Sequence, residues 1–417
     1  MGIYDEIWVD RGDRRAYENR CCRGGAFETP RARATTASDH RPQNPKFLNV
    51  SRTSAPPSVP SRPLGWVGLW VPRHGGGMSA FQTLLLRVRN DTDAALEAFF
   101  AHERSLPGRA TPSVASVLDA LCSLTMRGGK RLRAALCALA HEGYGGTPGT
   151  CVPAFVALEL LQTYFLVHDD WMDQDEVRRG GPAVHVMLRQ THGAGADAFA
   201  ILAGDYACAA AQRVLSTVQA AAEGKARAYE VFASMQADVI AGQLIDMHGR
   251  EHTLTDVERM YALKTGSYTV AGPMLLGACL GGASAAALDE VRAFAAPLGV
   301  AFQLKDDLLG TFGSSQSTGK PTYTDLRRKK RNALVVALEA SGQGALVAEL
   351  AKDGEPSEAL VQEVADAMRS AGVPELIEGR VRDLCAEART RADGLGLGGA
   401  TRAALDGAIS ALGDRAA

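Results

Sequence analysis

Two aspartate clusters lie inside otherwise apolar helical stretches, with Asp169 and Asp306 137 positions apart. The first reads His168-Asp169-Asp170-Trp171-Met172-Asp173 and the second Gln303-Leu304-Lys305-Asp306-Asp307-Leu308-Leu309-Gly310. Carboxylates set in apolar helices are costly to bury unless cations compensate them. A helix advances about 100° per residue, so Asp169 and Asp173 point much the same way, one turn apart. Such a face offers hard oxygen ligands, suited to Mg²⁺ rather than zinc. Two such faces across one cavity would hold several Mg²⁺ ions, and several Mg²⁺ ions suggest a diphosphate.

The rest of the chain says what carries these faces. From Ser79 onward the pattern is helical almost everywhere. Phe81, Leu84, Leu85 and Val88 recur at helix spacing, as do Leu96, Phe99 and Phe100. Breaks fall at Gly128-Gly129, Tyr144–Pro148, Gly180-Gly181-Pro182, more weakly at Gly224, and over Gly313–Thr324. The predicted fold is all-α, a single large bundle of about a dozen helices around a central cavity. Residues 1–77 have no such period; they are rich in Pro, Ser, Gly and Arg, with Lys46 their single lysine. They are expected to be a disordered extension outside the functional domain, with Met78 as the true start and residues 78–417 as the catalytic domain.

Composition narrows the partners. The net charge of −2 gives no global field for nucleic acid, so an anion site must be local. The eight cysteines form neither a CxxC pair nor a zinc-like spacing with histidine, and most sit in Ala/Leu-rich runs. That favours a reducing cytoplasm. Ala271–Leu288 carries no charge, but it is mostly Gly, Ala and Ser, so a buried helix pair is expected there rather than a transmembrane segment.

Four further constellations bear on chemistry. Asp175-Glu176-Val177-Arg178-Arg179 follows the first cluster within about three helical turns, placing paired arginines for phosphate oxygens beside acid ligands. Gly128-Gly129-Lys130-Arg131-Leu132-Arg133 lets backbone approach an anion, with Lys130 and Arg133 on one helix face. Taken alone, it is equally a basic helix start. Lys264 and Thr265, between Tyr261 and Tyr268, could hold a phosphate by charge and hydroxyl, although a surface helix is the plainer reading in isolation. Last, Gly319-Lys320, Asp325 and Arg327–Arg331 follow the second cluster and could close over a diphosphate as a mobile basic loop.

Together these motifs resemble the isoprenyl (polyprenyl) diphosphate synthase family. The resemblance runs from Gly128 to Asn332 and is most specific from Glu159 to His185, where HDDWMD is followed by RRGGPAVH. The family's GGKRxR, LAGD, GQxxD, KT and FQxxDD appear at Gly128–Arg133, Leu202–Asp205, Gly242–Asp246, Lys264–Thr265 and Phe302–Asp307. By that resemblance, Asp169 and Asp173 ligate Mg²⁺ with Asp170 in support, and Asp306 holds a further Mg²⁺ with Asp307 beside it. Arg178, Lys264, Gln303 and Lys320 contact an allylic diphosphate, with Lys330 near the same group. Lys130, Arg133, Gln162 and Arg179 bind isopentenyl diphosphate, and Thr265 and Gln303 lie where the carbocation develops. Members are commonly homodimers, so a homodimer is expected. The chain departs from the pattern at Gly310, where an aspartate is usual, at Ala134 for a frequent proline, and at Asn332 for Thr.

The implied reaction is Mg²⁺-dependent head-to-tail prenyl transfer. Ionisation of the allylic C–O bond is followed by attack of the isopentenyl alkene and loss of a proton, with dry apolar walls protecting the cation. Phe165 lies four residues before Asp169, on nearly the same face and about 6 Å away along the axis, with Tyr164 beside it. Two aromatics so near the metal face predict a shallow floor and a short product, farnesyl or geranylgeranyl diphosphate. Two other functions stay open at this point. A class I terpene cyclase needs no second diphosphate site, yet Gly128–Arg133 looks like one. A non-catalytic regulatory subunit predicts degraded metal motifs, and only Gly310 fits that.

Overall fold

Helix α1 (Ala80–Ser105) starts at a capping box, in which Ser79 accepts from Gln82 N and the Gln82 side chain accepts from Ser79 N. The computed structural model describes residues 78–249, 253–313 and 323–413. Residues 1–77, expected as a disordered extension, lie outside that range. The described fold is all-α, as expected. It continues with α2 (Pro112–Met126), α3 (Leu132–Gly143), α4 (Val152–Met172), α5 (Val184–His192), α6 (Ala196–Ser216), α7 (Ala222–His248), α8 (Leu254–Tyr261), α9 (Gly272–Gly281) and α10 (Ala285–Phe312). Shorter helices follow, up to Gly399–Gly413. The strands among the described residues are a two-residue pair, β1 (Val177–Arg178) and β2 (Gly181–Pro182), running antiparallel.

Three elements wall the site. Helix α4 is apolar over most of its length and packs along α6. Between α8 and α9 the chain runs through a π-helical stretch, Ala262–Ala271, which packs on α7 and α10. Glycines permit these close approaches. A Cβ on Gly299 of α10 would come within 2.5 Å of Gly266 Cα, and one on Gly242 of α7 within 2.4 Å of Lys264 N.

The uncharged run Ala271–Leu288 is, as expected, a packed helix pair, with α9 buried against α3 and α7. Another stretch, Ala333–Leu350, is apolar and long enough to cross a membrane by composition. It is bent at Gly342 (φ 94°), and its first six residues are buried in the fold.

Candidate active site

The first aspartate face forms where α4 ends. Asp173 caps the helix, its N–H returning to Asp169 O at 2.8 Å. The hairpin β1–β2 then folds the chain back, with Arg179 and Gly180 both at positive φ (53° and 71°). Arg178 is thereby turned onto the face. Its Nε donates to Asp170 Oδ1 at 2.6 Å, and Nη2 reaches Asp175 at 3.1 Å and Asp169 at 3.5 Å. Asp170 is fully buried, so it points inward and braces Arg178 rather than opening onto the face with Asp169 and Asp173. Burial pushes its carboxyl up to about 6, against the pull of Arg178. Burial and then neighbouring Asp169 also raise Asp173, while Lys330 and Lys264 oppose the shift.

The second face is organised by neutral donors. On α10, Gln303 Oε1 accepts from the Thr265 hydroxyl at 2.7 Å, and Gln303 Nε2 donates to Asp307 Oδ1 at 2.9 Å. The Tyr261 hydroxyl donates to Asp307 Oδ2 and accepts from Ala333 N at 3.0 Å. Asp307 is therefore enclosed, and its carboxyl is pushed up to about 7 by burial and by nearby Asp325. Its placement is that of an anchor within the wall. Asp306, the preceding residue, is exposed.

Two lysines tie the faces together. Lys264 pairs with Asp246 of α7 and stands 3.9 Å from Asp169. Lys330 is half-buried among carboxylates of both faces. Burial alone would lower its pKa, but Asp325, Asp246, Asp169 and Asp307 outweigh that and hold it protonated, above its usual value. Lys320 lies outside the described residues.

The basic side of the site is partly structural. Arg131, at φ 54°, is buried and bonds Glu159 (2.6 Å), Asp93 (2.8 Å) and Thr125 O (3.0 Å), which fixes the Gly128–Lys130 turn and leaves Lys130 exposed. Arg133 turns inward, donating to Thr269 Oγ1 at 2.7 Å with its guanidinium 4.2 Å from the Tyr268 ring centre. Arg179 donates to the carbonyls of Leu124 (3.3 Å) and Arg127 (3.4 Å). Burial lowers its pKa; Glu159 opposes, while Arg131, Arg133 and Arg178 add to the lowering, as expected of clustered cations. Gln162 is buried nearby, and its Oε1 has no partner within the protein.

Beneath the first face, Phe165 meets Tyr268 edge-on at 5.1 Å and Tyr164 at 4.9 Å, and Tyr164 meets His168 at 4.9 Å. Tyr268 thus joins the two rings that the sequence singled out. Sequence reasoning had also assigned no role to Asp246, Tyr261, Arg131 or Glu159. Asp246 and Tyr261 were visible in GQLID and in the YALKT run, but only the fold gives them partners.

The donor set fits a hard divalent cation, since Asp169, Asp173 and Asp306 offer carboxylate oxygens with no thiolate or imidazole among them. Among the described residues, no three His, Cys, Asp or Glu side chains gather into a closed cage.

Residues 115–368 match the polyprenyl synthetase family. The chain belongs to that family. It is 36% identical over 233 residues to geranylfarnesyl diphosphate synthase of Aeropyrum pernix, covering 54% of this chain and 71% of that one. It is 36% identical over 220 residues to (2E,6E)-farnesyl diphosphate synthase of Mycobacterium tuberculosis, covering 52% and 58%. Its fold is similar, with a TM-score of 0.72 and 27% identity over 81% of this chain and 99% of the other, to geranylgeranyl pyrophosphate synthase of Corynebacterium glutamicum complexed with isoprenyl diphosphate and magnesium. The chain is a prenyltransferase that joins isoprenyl units head to tail into a short-chain product.

Proposed function

We propose that the two aspartate faces hold the Mg²⁺-bound diphosphate of an allylic substrate, and that isopentenyl diphosphate binds the basic side at Lys130, Arg133, Gln162 and Arg179. The observation that carries this reading is the Lys264-Thr265 pair, in which Lys264 stands 3.9 Å from Asp169 of the first face while Thr265 bonds Gln303 of the second face at 2.7 Å. Asp169 and Asp173 on one side and Asp306 on the other would hold the cations. Mg²⁺ commonly takes one or two carboxylates and completes its shell with water and phosphate oxygens, which suits faces that form no closed cage. The C. glutamicum relative, which holds magnesium and isoprenyl diphosphate, supports the same choice. Bound there, the cations would neutralise the charge on the departing diphosphate.

The chain's own residues do the rest. Arg178, Lys264, Lys320 and Lys330 steady the diphosphate. The Thr265 hydroxyl donates a hydrogen bond to Gln303 Oε1, which leaves the lone pairs of Thr265 available to developing positive charge. Asp307 and Tyr261 fix Gln303 in that orientation. The Phe165, Tyr164 and Tyr268 rings keep water from the cation and block the growing tail, so the product is farnesyl or geranylgeranyl diphosphate.

A homodimer is supported by apolar side chains left exposed on α6 (Ile201, Leu202) and α7 (Ile240, Leu244, Met247). Cys208 on the first of these helices bonds Gln236 on the second at 3.2 Å. Leu202→Asp with Leu244→Asp should give a monomer by light scattering; an unchanged mass would rule out this face as the interface. Cys137, Cys151 and Cys279 are buried in the apolar core, where a thiol acts as a small apolar group, which supports a cytoplasmic location.

The test of the reaction is incubation of the full chain with Mg²⁺, labelled isopentenyl diphosphate and dimethylallyl, geranyl or farnesyl diphosphate in turn. After dephosphorylation, farnesol or geranylgeraniol should dominate. Longer alcohols would remove the aromatic floor, and no incorporation by folded protein would remove the whole reading.

A further inference from the structure

The second aspartate run ends in Gly310, one helical turn beyond Asp306, so a side chain there would extend the same face of α10. Another part of the chain fills that place. A Cβ built on Gly310 would stand 2.4 Å from Asp325 Oδ2 and 3.3 Å from Oδ1. The Asp325 carboxylate therefore occupies the volume that an aspartate at 310 would need.

Asp325 is held there by its surroundings. It lies in the single-turn helix α11 (Thr324–Arg327), flanked by Tyr323 and Lys329, both at positive φ (61° and 54°). Bulky residues seldom adopt that conformation without tertiary support. The support is visible. Tyr323 N donates to Thr311 O at 3.3 Å, and Lys330 N closes on Asp325 O at 3.0 Å. Arg369 donates to the Tyr323 hydroxyl at 2.9 Å while lying 5.1 Å over the ring of Phe312, the last residue of α10. Asp325 is also close enough to act on Asp307 and Lys330: after burial, it is the strongest influence on each.

We propose that Asp325 supplies the third carboxylate of the second face, in the place that Gly310 leaves, and helps to hold the cations that carry the diphosphate. The proposal rests on the metal and diphosphate reading above. It also explains the glycine, because any side chain at 310 would press on the Asp325 carboxylate.

The test is calorimetric titration of inorganic pyrophosphate into the full chain with Mg²⁺, for wild type, Asp169→Asn, Asp325→Asn, Gly310→Asp, and Gly310→Asp combined with Asp325→Gly. Melting temperatures without Mg²⁺ check that each variant folds. Asp325→Asn should weaken binding about tenfold, as expected for loss of a residue that supports a metal site. Gly310→Asp alone should also weaken it, because two carboxylates then compete for one volume. The combined variant should recover to within about threefold of wild type, since the carboxylate is only moved between neighbouring positions. Wild-type affinity in Asp325→Asn, with loss in Asp169→Asn, would overturn the proposal alone. Loss in Asp325→Asn without recovery in the combined variant would also overturn it, assigning Asp325 to the placing of Lys330. Failure of the wild-type chain to bind would overturn the reading of both faces, and this proposal with it.

Discussion

Asp170 on α4 and Asp307 on α10 are both buried carboxylates, and their partners differ in kind. Asp170 meets a cation, Arg178, brought round by a hairpin only eight residues along the chain. Asp307 meets two neutral donors, Tyr261 and Gln303, and the first of these comes from a helix 46 residues earlier. Burial raises both carboxyls, Asp170 to about 6 and Asp307 to about 7. The first face is compensated locally, whereas the second is assembled by tertiary packing. Each has a more exposed neighbour, Asp169 or Asp306.

This contrast can be broken in several ways. The largest effect should come from Asp169→Asn, which removes a proposed cation ligand from the first face. A bound cation contributes several kcal/mol of charge stabilisation, so kcat should fall about a thousandfold. A loss of less than about tenfold in steady-state turnover would remove Asp169 from the reacting site.

Stability should separate the two anchors next. Arg178→Met leaves Asp170 buried without its cation, at a cost of about 3 kcal/mol. Tyr261→Phe removes one neutral donor from Asp307, at a cost of about 1 to 2 kcal/mol. Urea unfolding of the metal-free chain measures both, and equal or reversed losses would erase the distinction between a charged and a neutral anchor.

Ligand removal asks whether the faces act as one unit. Pyrophosphate with Mg²⁺ at about a hundredfold over its dissociation constant should stabilise the wild-type chain by about 2.7 kcal/mol, and a chelator should cancel this. Asp169→Asn and Asp306→Asn should each lose most of that gain, although they lie on different helices. Full stabilisation in either would mean that one face suffices.

The smallest change in rate, with a clear change in product, belongs to the first face alone. Phe165→Ala, or the double change with Tyr164→Ala, should lengthen the prenyl product while turnover stays within about tenfold, because neither ring touches the diphosphate side. Unchanged product length in both variants would place the length barrier elsewhere, with Tyr268 the next ring of the floor.

The same contrast explains what the sequence could tell. The all-α fold and the first face were legible because their determinants are local. Helical spacing, the aspartates of α4 and the arginine pair after them all lie within one short run of residues. The second face was legible in its aspartates and, through the family resemblance, in Gln303 and Thr265, but not in what holds them. The roles of Tyr261 and Asp246 depend on close crossings at Gly266 with Gly299 and at Gly242 with Lys264, which no local pattern announces. Arg133 was expected to face a ligand. The fold adds what the sequence did not announce, a bond to the Thr269 hydroxyl and a place over the Tyr268 ring for a half-buried guanidinium. Gly310 read as a missing carboxylate until the fold placed Asp325 over it.

Anomalous diffraction at the manganese edge, from crystals of the full chain grown with Mn²⁺ and inorganic pyrophosphate, addresses the shared cavity most directly. Cations bound by Asp169 and Asp173 on one side and by Asp306 on the other, with the diphosphate between them, are the predicted result. Cations confined to one helix, or a diphosphate bound away from both, would contradict it.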